Sequence, residues 1–260
     1  TINRLEDLNG LLKPPVEIIG SSRQEDLRYW RRLGADGAGP TIRYSPVVDP
    51  EMFKVVANNM VLESGAKIIF HSWAVRVIMD DHFIKGVVFE SKTGRPAIAA
   101  KVVIDCTGDG DIAALAGADF VEGNLPLGLV FRVGNVDTRK SEEFLQKNPD
   151  ALIPLKEELK KANITGGAYG FANQMPGVYL LSSRESVVWF NNIFPGNPLD
   201  IGDLTKAEIS IRRAMMIMVE FYQKHIPGFE KAFVIDTASQ IGTRASRRIV
   251  GEYVIQVKEF

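Results

Sequence analysis

One stretch constrains this chain more than any other: Val102-Val103-Ile104-Asp105-Cys106-Thr107-Gly108-Asp109-Gly110-Asp111-Ile112-Ala113-Ala114. An apolar run ends in a tight turn of Gly and Asp and passes directly into a helix-forming segment. That pattern predicts a strand delivering the backbone to a ligand at a helix N-terminus, where unpaired N–H groups and the helix dipole favour anions. Asp-Gly pairs also make ordinary turns, and Asp111 reads equally as a cap for the next helix. The surrounding sequence has to separate the two readings.

Composition narrows the classes. The chain has 260 residues, 45% hydrophobic and 24% charged, enough for one large domain or two modest ones. A formal net charge of -1 gives no basic surface for nucleic acid. The single cysteine, Cys106, excludes an internal disulfide framework and fits a reducing, cytoplasmic compartment. Following an apolar run, it is expected to be an inert buried thiol. The three histidines, His71, His82 and His225, are scattered, so no metal site is expected. No apolar run approaches the ~20 residues needed to span a bilayer, so no membrane partner is expected. The first residue is Thr1 rather than Met, which reads as a cut or processed start.

The first forty residues carry little signal. Gly34, Gly37, Gly39 and Pro40 mark a connector, and the Gly spacing is wrong for a dinucleotide-binding turn. Order improves at Asp49-Pro50-Glu51, which reads as N-cap, N1 proline and acidic first turn. Met52, Phe53, Val56 and Met60 would place an apolar stripe on one face of that helix, with Gly65 ending it. Strands are predicted over 66–70, 74–79 and 83–90, then over 97–104 into the turn.

Helix, meander and Ile104-Asp105-Cys106-Thr107-Gly108-Asp109-Gly110-Asp111 together resemble the FAD-dependent oxidoreductases of the glutathione-reductase-like class. In that class the strand after the meander commonly ends in an Ala-Thr-Gly-Asp turn beside the flavin dinucleotide; Cys106 stands where alanine is common. The likeness extends to Lys85-Gly86-Val87-Val88-Phe89-Glu90, the returning strand of the meander. A second block, Ile241-Gly242-Thr243-Arg244-Ala245-Ser246-Arg247-Arg248-Ile249-Val250-Gly251-Glu252-Tyr253, resembles a signature of one subgroup of the class. The resemblance covers roughly residues 41–260. The Gly-x-Gly-x-x-Gly turn that holds the FAD pyrophosphate in that class has no counterpart here, nor has its closing Gly-Asp block. The chain therefore reads as the middle of such an enzyme.

Several expectations follow from the resemblance. Cys106, Thr107, Gly108 and Asp109 would approach FAD, with Asp109 shaping the turn, and the backbone of Ala74 and Val75 would meet adenine. Arg244, Arg247 and Arg248 concentrate positive charge. A guanidinium suits bidentate capture of a carboxylate or phosphate, so Arg247 and Arg248 are candidates for substrate or another anion. Arg244 is the first choice for a catalytic role.

Between the two blocks, strands are predicted over 127–133, 178–182 and 186–191, and helices over 138–147 and 151–161. The loop Thr165-Gly166-Gly167-Ala168-Tyr169-Gly170 could close over a ligand or be a plain loop. Thr205-Lys206-Ala207-Glu208 reads as a capping box opening a helix to about residue 225, whose Met215, Met216 and Met218 would pack.

The expected fold is mixed α/β: an incomplete three-layer FAD-binding domain with its meander over 1–122, a sheet-based substrate domain over 123–240, and a return segment over 241–260. The implied reaction moves a hydride or electrons between a small organic substrate and FAD. The expected partners are a small-molecule substrate and either further copies of the chain or a complementing chain that supplies the missing FAD-binding parts. The competing reading is a non-catalytic fragment or assembly subunit that keeps the fold without flavin.

Overall fold

The computed structural model describes residues 1–32, 40–44, 46–123, 127–148, 150–161 and 187–253. Helix α1 (Ile2–Asp7) leads to β1 (Leu11–Leu12), and α2 (Gln24–Arg32) precedes β2 (Val47–Val48), which pairs with β1. Helix α3 (Pro50–Glu63) is followed by β3 (Trp73–Asp80), β4 (Phe83–Glu90), β5 (Ala97–Ala99), α4 (Asp111–Leu115) and β6 (Phe120–Glu122). The second half runs β7 (Leu127–Gly134), α5 (Thr138–Lys147), α6 (Ile153–Lys161), β8 (Val188–Phe194) and α7 (Ile201–His225). It closes with β9 (Phe233–Thr237), β10 (Gly242–Thr243) and β11 (Arg247–Ile249). The predicted loop at 165–170, the strand at 178–182 and most of the 34–40 connector lie outside the described residues.

Helix and sheet mix as expected, but every named strand pair among the described residues is antiparallel. Strands β3, β4 and β5 form the meander, and β6 pairs with β11. The largest sheet is centred on β7, with β8 on one edge and β9 and β10 in succession along the other. Its pattern is read directly from the sequence: Leu127, Leu129, Phe131 and Val133 alternate onto one face and are almost fully buried. Helix α7 covers that face with Ala207, Ile211, Ala214, Met215, Met218 and Tyr222. Phe131 stacks on Phe190 at 5.0 Å, and Tyr222 meets Phe190 edge-on at 5.2 Å. On the other face of β7, Arg132 is 7% exposed and pairs with Asp236 directly across the sheet.

Four sequence expectations are corrected. Residues 66–70 form no strand, and Ile69 and Phe70 lie exposed. The strand expected over 97–104 stops at Ala99; beyond it Val102 is 77% and Ile104 81% exposed, because among the described residues no strand lies alongside to pair with or cover them. Helix α7 starts at Ile201, ahead of the Thr205 capping box, because the Asp200 side chain accepts the Asp203 N–H at 2.8 Å and caps the earlier turn. Glu208 pairs with Arg212 and accepts the Ile241 N–H instead of closing a box. Helix α3 begins where expected, Asp49 accepting the Glu51 N–H at 2.8 Å, yet of its predicted stripe Phe53 and Met60 are exposed; Val56 and Met52 pack against Leu5 and Leu11.

Because β7 anchors the larger sheet through one buried ring stack, Phe131→Ala should cost about 3–5 kcal/mol in urea unfolding. A loss below about 1 kcal/mol would mean the sheet core is not centred there.

Candidate functional site

The strand–turn–helix stretch is built around the carboxylate of Asp105. Its Oδ1 accepts the Thr107 N–H at 3.0 Å and the Thr107 hydroxyl at 2.8 Å, and its Oδ2 accepts the Ala113 N–H at 2.9 Å. Thr107 Oγ1 in turn accepts the Asp111 N–H at 2.9 Å. Gly108 (φ +87°) and Gly110 (φ +64°) take left-handed backbone, which glycine adopts without strain. Burial works against the charge on Asp105. The donors from Ala113, Thr107 and Ile112 outweigh it and hold the carboxyl below its ordinary value of 3.8.

This changes the meaning of the turn. The N–H groups of Asp111 and Ala113 are already satisfied by the chain's own side chains, and α4 is one short turn of 5 residues. The side-chain acceptor that ties the turn to α4 is Asp105. Asp111 is instead an acceptor for Arg247 Nη1 at 2.6 Å.

Residues from the second block meet the turn across the fold. Thr243 donates its hydroxyl to Asp109 Oδ2 at 2.9 Å, and the Arg247 guanidinium lies 5.3 Å from the centre of the Phe120 ring. Strand β11 is held by β6, with Arg247 opposite Glu122 and Ile249 opposite Phe120. Gly123 permits this approach, since a Cβ there would stand 2.5 Å from the Ala245 carbonyl oxygen. Two buried polar atoms at this junction have no hydrogen-bond partner among the described residues, Ser246 Oγ and Arg247 Nε.

A cavity of about 830 Å³ opens between these elements. The meander supplies Trp73, Ala74 and Val75, the turn supplies Thr107, Asp109 and Asp111, and the second block supplies Thr243 and Arg247. The start of α7 adds Leu204 and Glu208, and Phe120 and Leu115 complete the apolar wall. Of the residues picked from sequence, Ala74, Val75, Thr107, Asp109 and Arg247 line it. Cys106, Gly108, Arg244 and Arg248 do not. Arg244 and Arg248 are exposed, and Cys106 is exposed rather than buried, because the segment carrying it has no covering strand among the described residues. Sequence reasoning missed Trp73, Thr243 and Glu208, and gave Asp105 no role. A carboxylate two residues before a Thr-Gly turn was the available signal for Asp105.

A sequence model of the FAD dependent oxidoreductases matches residues 13–260. The chain belongs to that family. FAD is therefore its cofactor, and the orphaned Arg247 Nε together with the polar turn in an 830 Å³ cavity fits a ligand of that kind. No curated protein matches the chain. Among solved structures it is similar to a geranylgeranyl bacteriochlorophyll reductase-like protein from Thermoplasma acidophilum, at 15% identity and a TM-score of 0.43 over 79% of this chain and 44% of that one. It is also similar to a triple mutant of the flavin-dependent brominase Bmp2, at 10% identity and a TM-score of 0.41, covering 78% of this chain and 46% of that one. The p-nitrophenol 4-monooxygenase PnpA from Pseudomonas putida matches at 12% identity and 0.35, over 80% and 45%. The chain thus spans less than half the length of these solved proteins. Among its described residues no helix is long and apolar enough to cross a membrane.

Removing the Asp105 carboxylate should loosen the turn and α4 together. We expect Asp105→Ala to lose about 2 kcal/mol of stability at neutral pH. The folded-state pKa is depressed, so the stabilisation is present above the ordinary carboxylate value and is lost as pH falls below it. Urea midpoints should show the gap between wild type and variant closing below about pH 4; a gap independent of pH would assign the loss to packing.

Proposed function

We propose that this chain is the central part of an oxidoreductase with the glutathione-reductase-like arrangement, moving a hydride or electrons between a small organic substrate and FAD. The observation that carries the reading is the meeting of the two resembling blocks at one cavity, through Thr243 on Asp109 and Arg247 on Asp111. The uncovered Val102 and Ile104 support the further reading that polypeptide outside these 260 residues, or on a complementing chain, completes the FAD-binding sheet.

Bound FAD supplies the redox chemistry. The chain's own residues bind and orient. In this reading the backbones of Ala74, Val75 and Thr107 and the polar groups of Asp109 and Thr243 hold the cofactor. Cys106 and Gly108 shape the same turn from its solvent side. Arg244 and Arg248, exposed on the return segment, are the guanidinium groups left to meet a substrate, with Arg244 the first candidate for catalysis.

Two measurements test this. Adding FAD should quench tryptophan emission, and Trp73→Phe should remove most of the change, since Trp73 lines the cavity. Wild-type emission that is unchanged by FAD, in this chain and in any longer polypeptide containing it, would favour the non-catalytic alternative. In a turnover assay, Arg244→Ala should lower the rate per bound flavin about tenfold or more, with flavin content unchanged. Loss of flavin at constant turnover would move Arg244 to the cofactor.

A further inference from the structure

We propose that a second cavity, of about 470 Å³, binds a hydroxyl- or amine-bearing small molecule and discriminates against the corresponding carboxylic acid. Asp236 accepts the ligand's donors, and Arg132 is the positioning residue behind it. The ligand's identity as substrate rests on the flavin reading above; the binding itself does not. Asp236 and Ser239 line this cavity and Gln240, Ile241 and Thr243 the larger one, so one continuous segment walls both. That adjacency is what makes the bound molecule a substrate candidate.

The sheet is built to present this carboxylate. Strand β7 sends Leu129, Phe131 and Val133 towards α7, so Val130 and Arg132 point to the opposite face, where the cavity lies. Strand β9 pairs Val234 with Val133, and an unbroken antiparallel ladder would continue with Ile235 opposite Arg132 and Asp236 opposite Phe131. Residues directly opposite share a face, so Asp236 would then lie on the side packed against α7. A register shift between Arg132 and Val133 intervenes, and Asp236 stands opposite Arg132 instead. One extra residue, Ile235, thus moves a carboxylate from the apolar face to the cavity face. There Asp236 accepts Arg132 Nε at 2.8 Å on one oxygen and Nη2 on the other.

The Arg132 side chain is 8% exposed and that of Asp236 42%, so a ligand in the cavity meets the carboxylate before the guanidinium. Each Asp236 oxygen takes a donor from Arg132 and, as part of a carboxylate, has a lone pair left for another. Ser239 at the rim adds a hydroxyl that donates or accepts. Charge decides against an acid. Asp236 matches Arg132 through hydrogen bonds, Asp49 and Glu51 add negative potential at longer range, and together they raise the guanidinium's pKa against the effect of burial. Among the described residues of the lining the other cation is Lys54, paired with Glu51 at 3.0 Å. A carboxylate placed beside Asp236 would face like charge while both lining cations are already matched. An alcohol or ammonium donor gains an acceptor instead, and Pro50, Val130 and Ala238 give its carbon frame an apolar wall.

The test titrates the isotopically labelled chain with benzyl alcohol, benzylamine and benzoate, probes of similar size that differ in their polar group, and reads amide chemical shifts. Benzyl alcohol and benzylamine should shift Val130, Asp236 and Ser239, leave Thr107 and Gly110 unmoved, and bind about tenfold or more tightly than benzoate. Asp236→Asn should invert that order, because it leaves the buried Arg132 charge to an incoming anion. Glu51→Gln, at an exposed position, should narrow the gap between benzylamine and benzoate about threefold, and it carries the test if Asp236→Asn fails to fold. Tightest binding of benzoate to the unmodified chain would make Arg132 a carboxylate clamp and overturn the proposal. So would an alcohol and an amine that shift none of those residues. An order unchanged in Asp236→Asn overturns it as well, or, where that variant does not fold, a gap unchanged in Glu51→Gln. A parallel FAD titration separates the two levels. FAD bound while benzoate is preferred removes this inference and leaves the flavin function; alcohol or amine bound while FAD is not keeps the site and removes its ligand's identity as substrate.

Discussion

A single carboxylate sets the geometry on which the site depends. Asp105 accepts donors from Thr107 and from Ala113, eight residues further on, and so folds the Gly-Asp turn back against the start of α4. Its position fixes where Asp109 and Asp111 emerge, and those two residues receive Thr243 and Arg247 from the far end of the chain. The contact spans 134 residues between Thr243 and Asp109, so its loop entropy has to be offset elsewhere. Pairing of β11 with β6 and of β10 with β7 does this by backbone hydrogen bonds that need no particular side chain. Sheet register brings the second block in, and the side chains then specify how it meets the turn.

The sheet around β7 ties that arrangement to the larger core. Leu127 and Leu129 pack with Ala207 and Ile211 of α7 and with Ile241, which opens the second block. Glu208 on the same helix accepts the Ile241 N–H, so α7 holds the backbone at the point where it turns from the sheet towards the cavity. A helix whose apolar stripe stabilises the core therefore also positions Thr243 and, three and four residues beyond it, Ser246 and Arg247. Stability and site geometry share one element, and core substitutions in α7 near Ala207 reach the cavity through Ile241.

Elements whose burial is local were legible in the sequence. The strand predicted over 127–133 is β7, and Asp49-Pro50-Glu51 identified the start of α3. Residues 102–104 were misread because an apolar run signals burial only when something covers it, and the chain's described residues supply no covering strand. The cap of α7 was misplaced for a different reason. Asp200 and Thr205 are both good N-terminal residues, and only the loop geometry around Asn197, whose N–H reaches Asp203, decides between them. At the site, the resemblance located the turn and the Arg block, yet the roles within each block depend on pairings over more than a hundred residues. No spacing rule could have distinguished Arg247, opposite Glu122 on a paired strand, from Arg248 beside it.

That last distinction carries the chemistry. In a strand, neighbouring side chains point to opposite faces, so a one-residue difference decides between solvent and cavity. Register with β6 leaves Arg248 exposed and turns Arg247 towards Phe120 and Asp111. Once paired there, Arg247 is no longer a free positive charge but a fixed donor with one buried N–H unused. Three arginines within five residues suggest an anion site by count alone. The fold divides them between environments, and the one that reaches the cavity arrives with its charge already matched.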